Sequence, residues 1–155
     1  MKKIILILLT IFTLASADEE TVKVVYDLTT DNVAKFEKNI LKGIAVSKAY
    51  FEGNLQEFES AVVIHGEAFR FFLKDVKHSA FNSNMELVEA YPELSKRVAG
   101  MSENYDVKFL MCEASMPKYG LTKDDIVDFV KFVPTSTIGI IKKQNEGFAY
   151  FPVKY

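Results

Sequence analysis

Three observations predict a three-layer α/β domain built around a mostly parallel sheet. Short apolar, β-branched runs alternate with segments of helical period from Val22 to Val153. The runs, V-V-I and V-K-F-L-M-C among them, are close to continuously apolar, as strands buried on both faces of a parallel sheet are. The stretch between the first two runs is long enough for the helical crossover that joins parallel neighbours.

The elements follow in order. Val22 to Leu28 (V-K-V-V-Y-D-L) is the first strand, and Thr29, Thr30 and Asp31 supply turn and N-cap chemistry. Val33, Phe36, Ile40, Leu41 and Ile44 recur at helical spacing, in a helix that stops near Gly53-Asn54. Phe58 to Ile64 is the second strand, ending at His65-Gly66. Glu67 to Lys74 reads as a helix, with Phe69, Phe71 and Phe72 assigned to the core or a subunit interface. Asp75 to Asn84 is a polar loop containing His78, and Met85 to Ala90 a helical turn. Pro92 fits the first position of a helix running to about Asn104, where its missing N–H costs nothing.

Val107 to Cys112 is the third strand. Ala114 to Tyr119 is a short helix or turn closed by Gly120. Thr122 caps Lys123 to Asp128, with Asp124 and Asp125 in the favourable first turn. Phe129 to Val133 is the fourth strand, closed by Pro134. Thr135 to Glu146 is a helix that carries Ile138 and Ile141 inward and is stopped by Gly147; Phe148 to Val153 is the last strand. No internal repeat, low-complexity stretch or linker interrupts this pattern.

The first 17 residues are set apart. Lys2 and Lys3 precede an apolar block, Ile4 to Leu14, and the small-x-small pattern Ala15-Ser16-Ala17. That is the three-part build of a secretory signal peptide. The block is shorter than the roughly 20 apolar residues a spanning helix needs, and no later stretch is apolar enough to span. No cysteine lies near the cleavage site, so a lipoprotein anchor is excluded. The expected mature chain is one domain, residues 18–155, periplasmic or secreted.

Removing Lys2 and Lys3 leaves 17 basic against 21 acidic residues, a net charge of −4. No Lys/Arg cluster interleaves with aromatics, so nucleic acid is not an expected partner. There is no P-loop, G-x-G-x-x-G or G-x-S-x-G, and no cofactor is expected. His65 and His78 lack the short spacing of a metal-ligand pair, and no metal is expected. Arg70 and Arg97 read as solvated or salt-bridged surface groups.

Candidate chemistry gathers at Val107 to Met116, where the third strand ends at the only cysteine and turns over Ala114 and Ser115. Strand carboxyl ends form the ligand crevice of open α/β sheets. A lone thiol in an exported chain has three readings: buried and inert, bridging two subunits, or kept free for chemistry. Backbone N–H groups after Cys112 would favour a thiolate, and Glu113 would oppose one if its carboxylate lay close. His65 also ends a strand. It could pair with the thiol or hold an anionic ligand, or simply fix a turn through a backbone hydrogen bond. Gly66 would let a ligand approach the backbone. Cys112 is thus the candidate reactive residue; His65, Gly66, Glu113 and Ser115 are the candidate ligand-binding residues.

Four segments together resemble the DsrE/DsrF-like sulfur-relay family, in particular its exported single-domain members. They are V-V-I-H-G-E (Val62 to Glu67), V-K-F-L-M-C-E-A-S-M with Tyr119-Gly120-Leu121 after it, F-V-P (Phe132 to Pro134) and Q-N-E-G-F-A-Y (Gln144 to Tyr150). The resemblance implies a five-stranded sheet in which the second and third strands are neighbours, bringing His65 and Cys112 to one edge. It implies a persulfide carried on Cys112, exchange with a sulfur-carrier protein partner, and a homo-oligomer, trimer or hexamer. Relay members often have paired arginines before the glycine that follows the cysteine. Here Lys118 and Tyr119 stand there, so anion stabilisation near the sulfur is weaker. Relay members also work in the cytoplasm, so their partners do not transfer to an exported chain.

Two functions follow from these readings. One is a sulfur-handling carrier, closer to a carrier than to a turnover enzyme, with Cys112 as sulfur acceptor and His65 orienting the ligand. The other is a non-catalytic small-ligand-binding or assembly subunit in which Cys112 is structural.

Overall fold

The computed structural model describes residues 21–154. The proposed signal peptide lies outside them. Five strands, β1 (Val22–Leu28), β2 (Phe58–Ile64), β3 (Lys108–Cys112), β4 (Lys131–Val133) and β5 (Ala149–Val153), form one sheet in the order β4-β3-β2-β1-β5. Every neighbouring pair is parallel. The α/β sandwich is therefore as expected, with β2 and β3 side by side.

Register aligns the carboxyl ends. Leu28 pairs with Ile64 and with Val153, and Ile64 pairs with Met111. His65 extends the ladder one step, its N–H donating to the Leu28 carbonyl at 3.1 Å. His65 and Cys112 therefore follow a matched pair on adjacent strands, which run about 4.8 Å apart.

The two faces of the sheet are covered unequally. The first crossover is one continuous helical stretch: α1 (Val33–Phe36), a π-helical segment (Glu37–Lys42) and α2 (Gly43–Gly53). It buries Phe36, Ile40 and Ile44 completely. Phe36 stacks on Phe71 with ring centres 4.2 Å apart and meets Phe72 edge-on at 5.9 Å. Each such buried ring contributes roughly 1.5–3 kcal/mol of hydrophobic stabilisation, so Phe69, Phe71 and Phe72 are core residues of the subunit itself. The other face holds a smaller cluster of Val25, Ala61, Val63 and Phe148, with Leu110 and Ile140 packed against it. It lies under α4 (Ser136–Asn145).

Several element boundaries differ from those expected. The turn at Met85 and the helix at Pro92 are one helix, α3 (Met85–Asn104), with Pro92 inside it. Asn84 caps it, accepting from the Leu87 N–H at 3.0 Å. Leu87, Tyr91, Leu94, Val98 and Met101 are buried at helical spacing on both sides of the proline. Burial of that face carries the helix through the bond that Pro92 removes, and Pro92 itself is on the exposed side.

The segment after β2 is a 3₁₀ turn, Gly66–Phe71, rather than a longer helix. Thr122 does cap, in a reciprocal capping box with Asp125, but only a 3₁₀ turn, Lys123–Asp125. The fourth strand begins at Lys131, not Phe129.

In α4, Ile138 and Ile141 are 39% and 50% exposed, so they do not point inward. Gly139 does. A Cβ there would lie 3.1 Å from Val133 Cγ2 and 3.5 Å from Val63 Cγ1. The glycine lets α4 close onto the sheet, and the apolar contact passes to Ile140.

Candidate functional site

Cys112 is the last residue of β3, and the chain leaves it directly into a 3₁₀ turn, Glu113–Tyr119. The Ala114 N–H donates to the Pro134 carbonyl at 3.1 Å, which ties this turn to the segment entering α4. Gly120 closes it with φ +64°, a left-handed conformation that a side chain would strain. The Ser115 hydroxyl returns over the turn and donates to Cys112 Sγ at 3.1 Å. A donor on the sulfur fixes its rotamer and can solvate negative charge that develops on it. The thiol is free but buried, at 4% exposure.

Glu113 does not turn its carboxylate on the sulfur. It pairs with Lys123 Nζ at 2.8 Å, both groups about half exposed. Gly66 takes φ +61° where the chain leaves β2, a backbone requirement that accounts for a glycine without any ligand. Arg70 is ion-paired with Glu67 and lies over the Phe81 ring at 4.8 Å. Its side chain is only 11% exposed, so it is less of a surface group than expected. Arg97 pairs with Glu37, as an exposed arginine is expected to do. His78 pairs with Asp75 at 2.7 Å on an exposed loop.

His65 has a partner that sequence reasoning missed. Its Nε2 lies 2.6 Å from Asp27 Oδ1. Asp27 is near the end of β1, with its side chain 6% exposed. The other carboxylate oxygen, Oδ2, accepts from the Tyr150 hydroxyl at 2.6 Å and lies 3.7 Å from Lys154 Nζ. Strand order explains the meeting, since β1 lies between β2, which leads to His65, and β5, which carries Tyr150.

Burial alone pushes the Asp27 carboxyl up. The hydrogen bonds from His65 and Tyr150, with the charges of His65 and Lys154, outweigh that and hold it below its ordinary value. The same bond pushes the Tyr150 phenol above its ordinary value. The one signal in the sequence was a carboxylate inside an apolar strand, V-K-V-V-Y-D-L. Its partners are 38 and 123 residues away.

Two hollows flank the far end of the Cys112 turn. One of about 390 Å³ is lined by residues including Lys74, His78 and Asp124, the other of about 480 Å³ by residues including Glu67, Arg70 and Lys118. Tyr119 and Gly120 line both, and neither is lined by Cys112 or His65. Among the described residues no three His, Cys, Asp or Glu side chains are grouped to hold a metal. No helix among them is long and apolar enough to cross a membrane.

The fold class is a parallel α/β sandwich with a thiol at the carboxyl end of an inner strand. The particular family follows from sequence comparison: the DsrE/DsrF-like family model matches residues 23–153, and the chain belongs to that family. Membership points in general terms to a role in sulfur relay. No curated protein matches the sequence. Among solved structures, a protein of unknown function from Methanobacterium thermoautotrophicum is similar. It is 21% identical, with a TM-score of 0.60, over 84% of this chain and 98% of that one. At that identity the likeness speaks for the fold alone.

Proposed function

We propose that this protein is an exported carrier of sulfane sulfur, with Cys112 as the acceptor. The observation that carries the reading is the Ser115 hydroxyl held 3.1 Å from Cys112 Sγ at a strand end, in a chain of the DsrE/DsrF-like family. A hydropersulfide donor, R–S–SH, meets the Cys112 thiolate. The thiolate forms a bond to the outer sulfur, the S–S bond of the donor breaks, and R–S⁻ leaves with the electron pair. The proton lost by Cys112 ends on the leaving thiolate, so the products are Cys112–S–SH and R–SH. No oxidant is consumed. Glu113, neutralised by Lys123, leaves the sulfur free of a nearby unpaired carboxylate. The carrier works as a homo-oligomer, receiving from and delivering to a sulfur-carrier protein in the periplasm or outside the cell.

One observation favours a second reading, a ligand-binding or assembly subunit with a structural cysteine: Cys112 is only 4% exposed. Sulfur loading requires the 3₁₀ turn to open or the donor to be small.

The test is intact mass spectrometry of the purified protein after brief exposure to polysulfide, with Cys112→Ser in parallel. A reductant-sensitive gain of sulfur on the wild type alone supports the carrier. No gain, together with a native thiol that resists alkylation, makes the cysteine structural.

A further inference from the structure

We propose that Asp27 is a positioning residue that holds His65 as the proton acceptor for thiols at the carboxyl edge of the sheet. This rests on the carrier reading of Cys112 and adds the group that would take its proton.

The first observation is the burial of the carboxylate. A carboxylate with a 6% exposed side chain is costly to keep ionised unless both oxygens are satisfied. Here each oxygen has its own donor, His65 on Oδ1 and Tyr150 on Oδ2. Lys154 adds a cation at 3.7 Å from Oδ2. These three groups, from the end of β2 and from β5 and its exit, are the titratable groups that face Asp27.

The second observation is the direction of the ring. An ionised carboxylate can only accept, so the neutral imidazole carries its proton on Nε2. The remaining lone pair is then on Nδ1, and among the described residues no hydrogen bond engages it. The His65 side chain is 27% exposed, open enough to meet a small molecule.

The third observation is register. Ile64 pairs with Met111, so His65 and Cys112 are the next residues on neighbouring strand ends. The step is a proton transfer: the S–H bond of the thiol breaks, its electron pair stays on sulfur, and the proton joins Nδ1. The imidazolium so formed is stabilised by the Asp27 charge and later returns the proton to the departing thiolate.

Tautomer and reactivity test this separately. In ¹⁵N NMR spectra of the wild type, neutral His65 is expected as the Nε2–H form. In Asp27→Asn, which keeps the shape and loses the charge, that form should no longer dominate. Alkylation of Cys112 by iodoacetamide near neutral pH should slow about a hundred-fold or more in Asp27→Asn and in His65→Gln, the usual range for losing a general base. Thermal melts identify any variant that has not folded, and Asp27→Glu should then retain part of the wild-type rate.

An unchanged tautomer in Asp27→Asn overturns the positioning role. A changed tautomer with unchanged alkylation, or a wild-type thiol that does not react, overturns the proton-acceptor role. Fast, Asp27-dependent alkylation without any sulfur adduct from polysulfide leaves this inference standing and removes the carrier reading instead.

Discussion

Tyr150 donates its phenolic hydrogen to Asp27 Oδ2 at 2.6 Å, joining the last strand to the first across 123 residues of chain. β5 is an edge strand with β1 as its only neighbour in the described sheet. The bond therefore pins a strand that has ladder partners on one side only. Tyr150→Phe keeps the ring and removes the donor. Hydrogen bonds to charged groups contribute about 1.5–3 kcal/mol when buried. With Tyr150 41% exposed, a loss nearer 1 kcal/mol is expected, read as a lower urea midpoint with an unchanged slope.

The Asp27 cluster sets the acid limb of stability. The folded state holds the Asp27 carboxyl below its unfolded value of 3.8. A depressed carboxyl contributes stability that is fully present above the unfolded value and is lost as pH falls through the folded one. The stability difference between wild type and Asp27→Asn should shrink as pH falls below about 4. Urea denaturation at stepped pH measures it. A difference that grows as pH falls below about 4 would reverse the assignment.

Ser115 and Cys112 separate folding from chemistry. Ser115→Ala removes one donor from the sulfur at a partly exposed position. It should leave the urea midpoint within about 0.5 kcal/mol of wild type. Polysulfide loading should slow several-fold, because charge on the sulfur loses a donor. Cys112→Ser should give no adduct at all. Mass spectrometry at short times reads both, and equal loading in Ser115→Ala would remove the hydroxyl from the mechanism.

Gly139 is the buried position of α4 against the sheet. Gly139→Leu must place a side chain where even a Cβ meets Val133 Cγ2 at 3.1 Å. Overpacking of this kind costs about 1–3 kcal/mol, despite the better helix propensity of leucine. The expected result is a lower melting temperature. Ile138→Ser, on the exposed side of the same helix, should change little. If both variants melted like the wild type, α4 would not pack through Gly139.

Much of this molecule was legible in the chain itself. The apolar runs marked the three inner strands, because a strand buried on both faces admits few polar residues; the edge strands β4 and β5 are not buried that way. The alternation with helical segments set the parallel α/β class, and the four family segments set the relationship. The same reasoning placed Cys112 and His65 at strand carboxyl ends and gave Gly120 as the close of the turn. It failed where long-range burial overrides local preference. Pro92 reads locally as a helix start, but a continuous buried face runs through it. Ile138 and Ile141 read as inward until the glycine between them turns out to be the contact.

The partner of His65 was decided only by tertiary structure. The sequence left His65 between an approach to Cys112 and a turn-fixing backbone hydrogen bond, and gave no sign that its Nε2 meets Asp27 on the strand to the other side. Strand order, not strand sequence, determines which side chains share an edge. That order is set by how crossovers pack across the whole sheet, and a local pattern contains no record of it. The pattern of residues named the elements and the thiol; packing of the finished sheet brought a buried carboxylate, a histidine and a tyrosine to one edge.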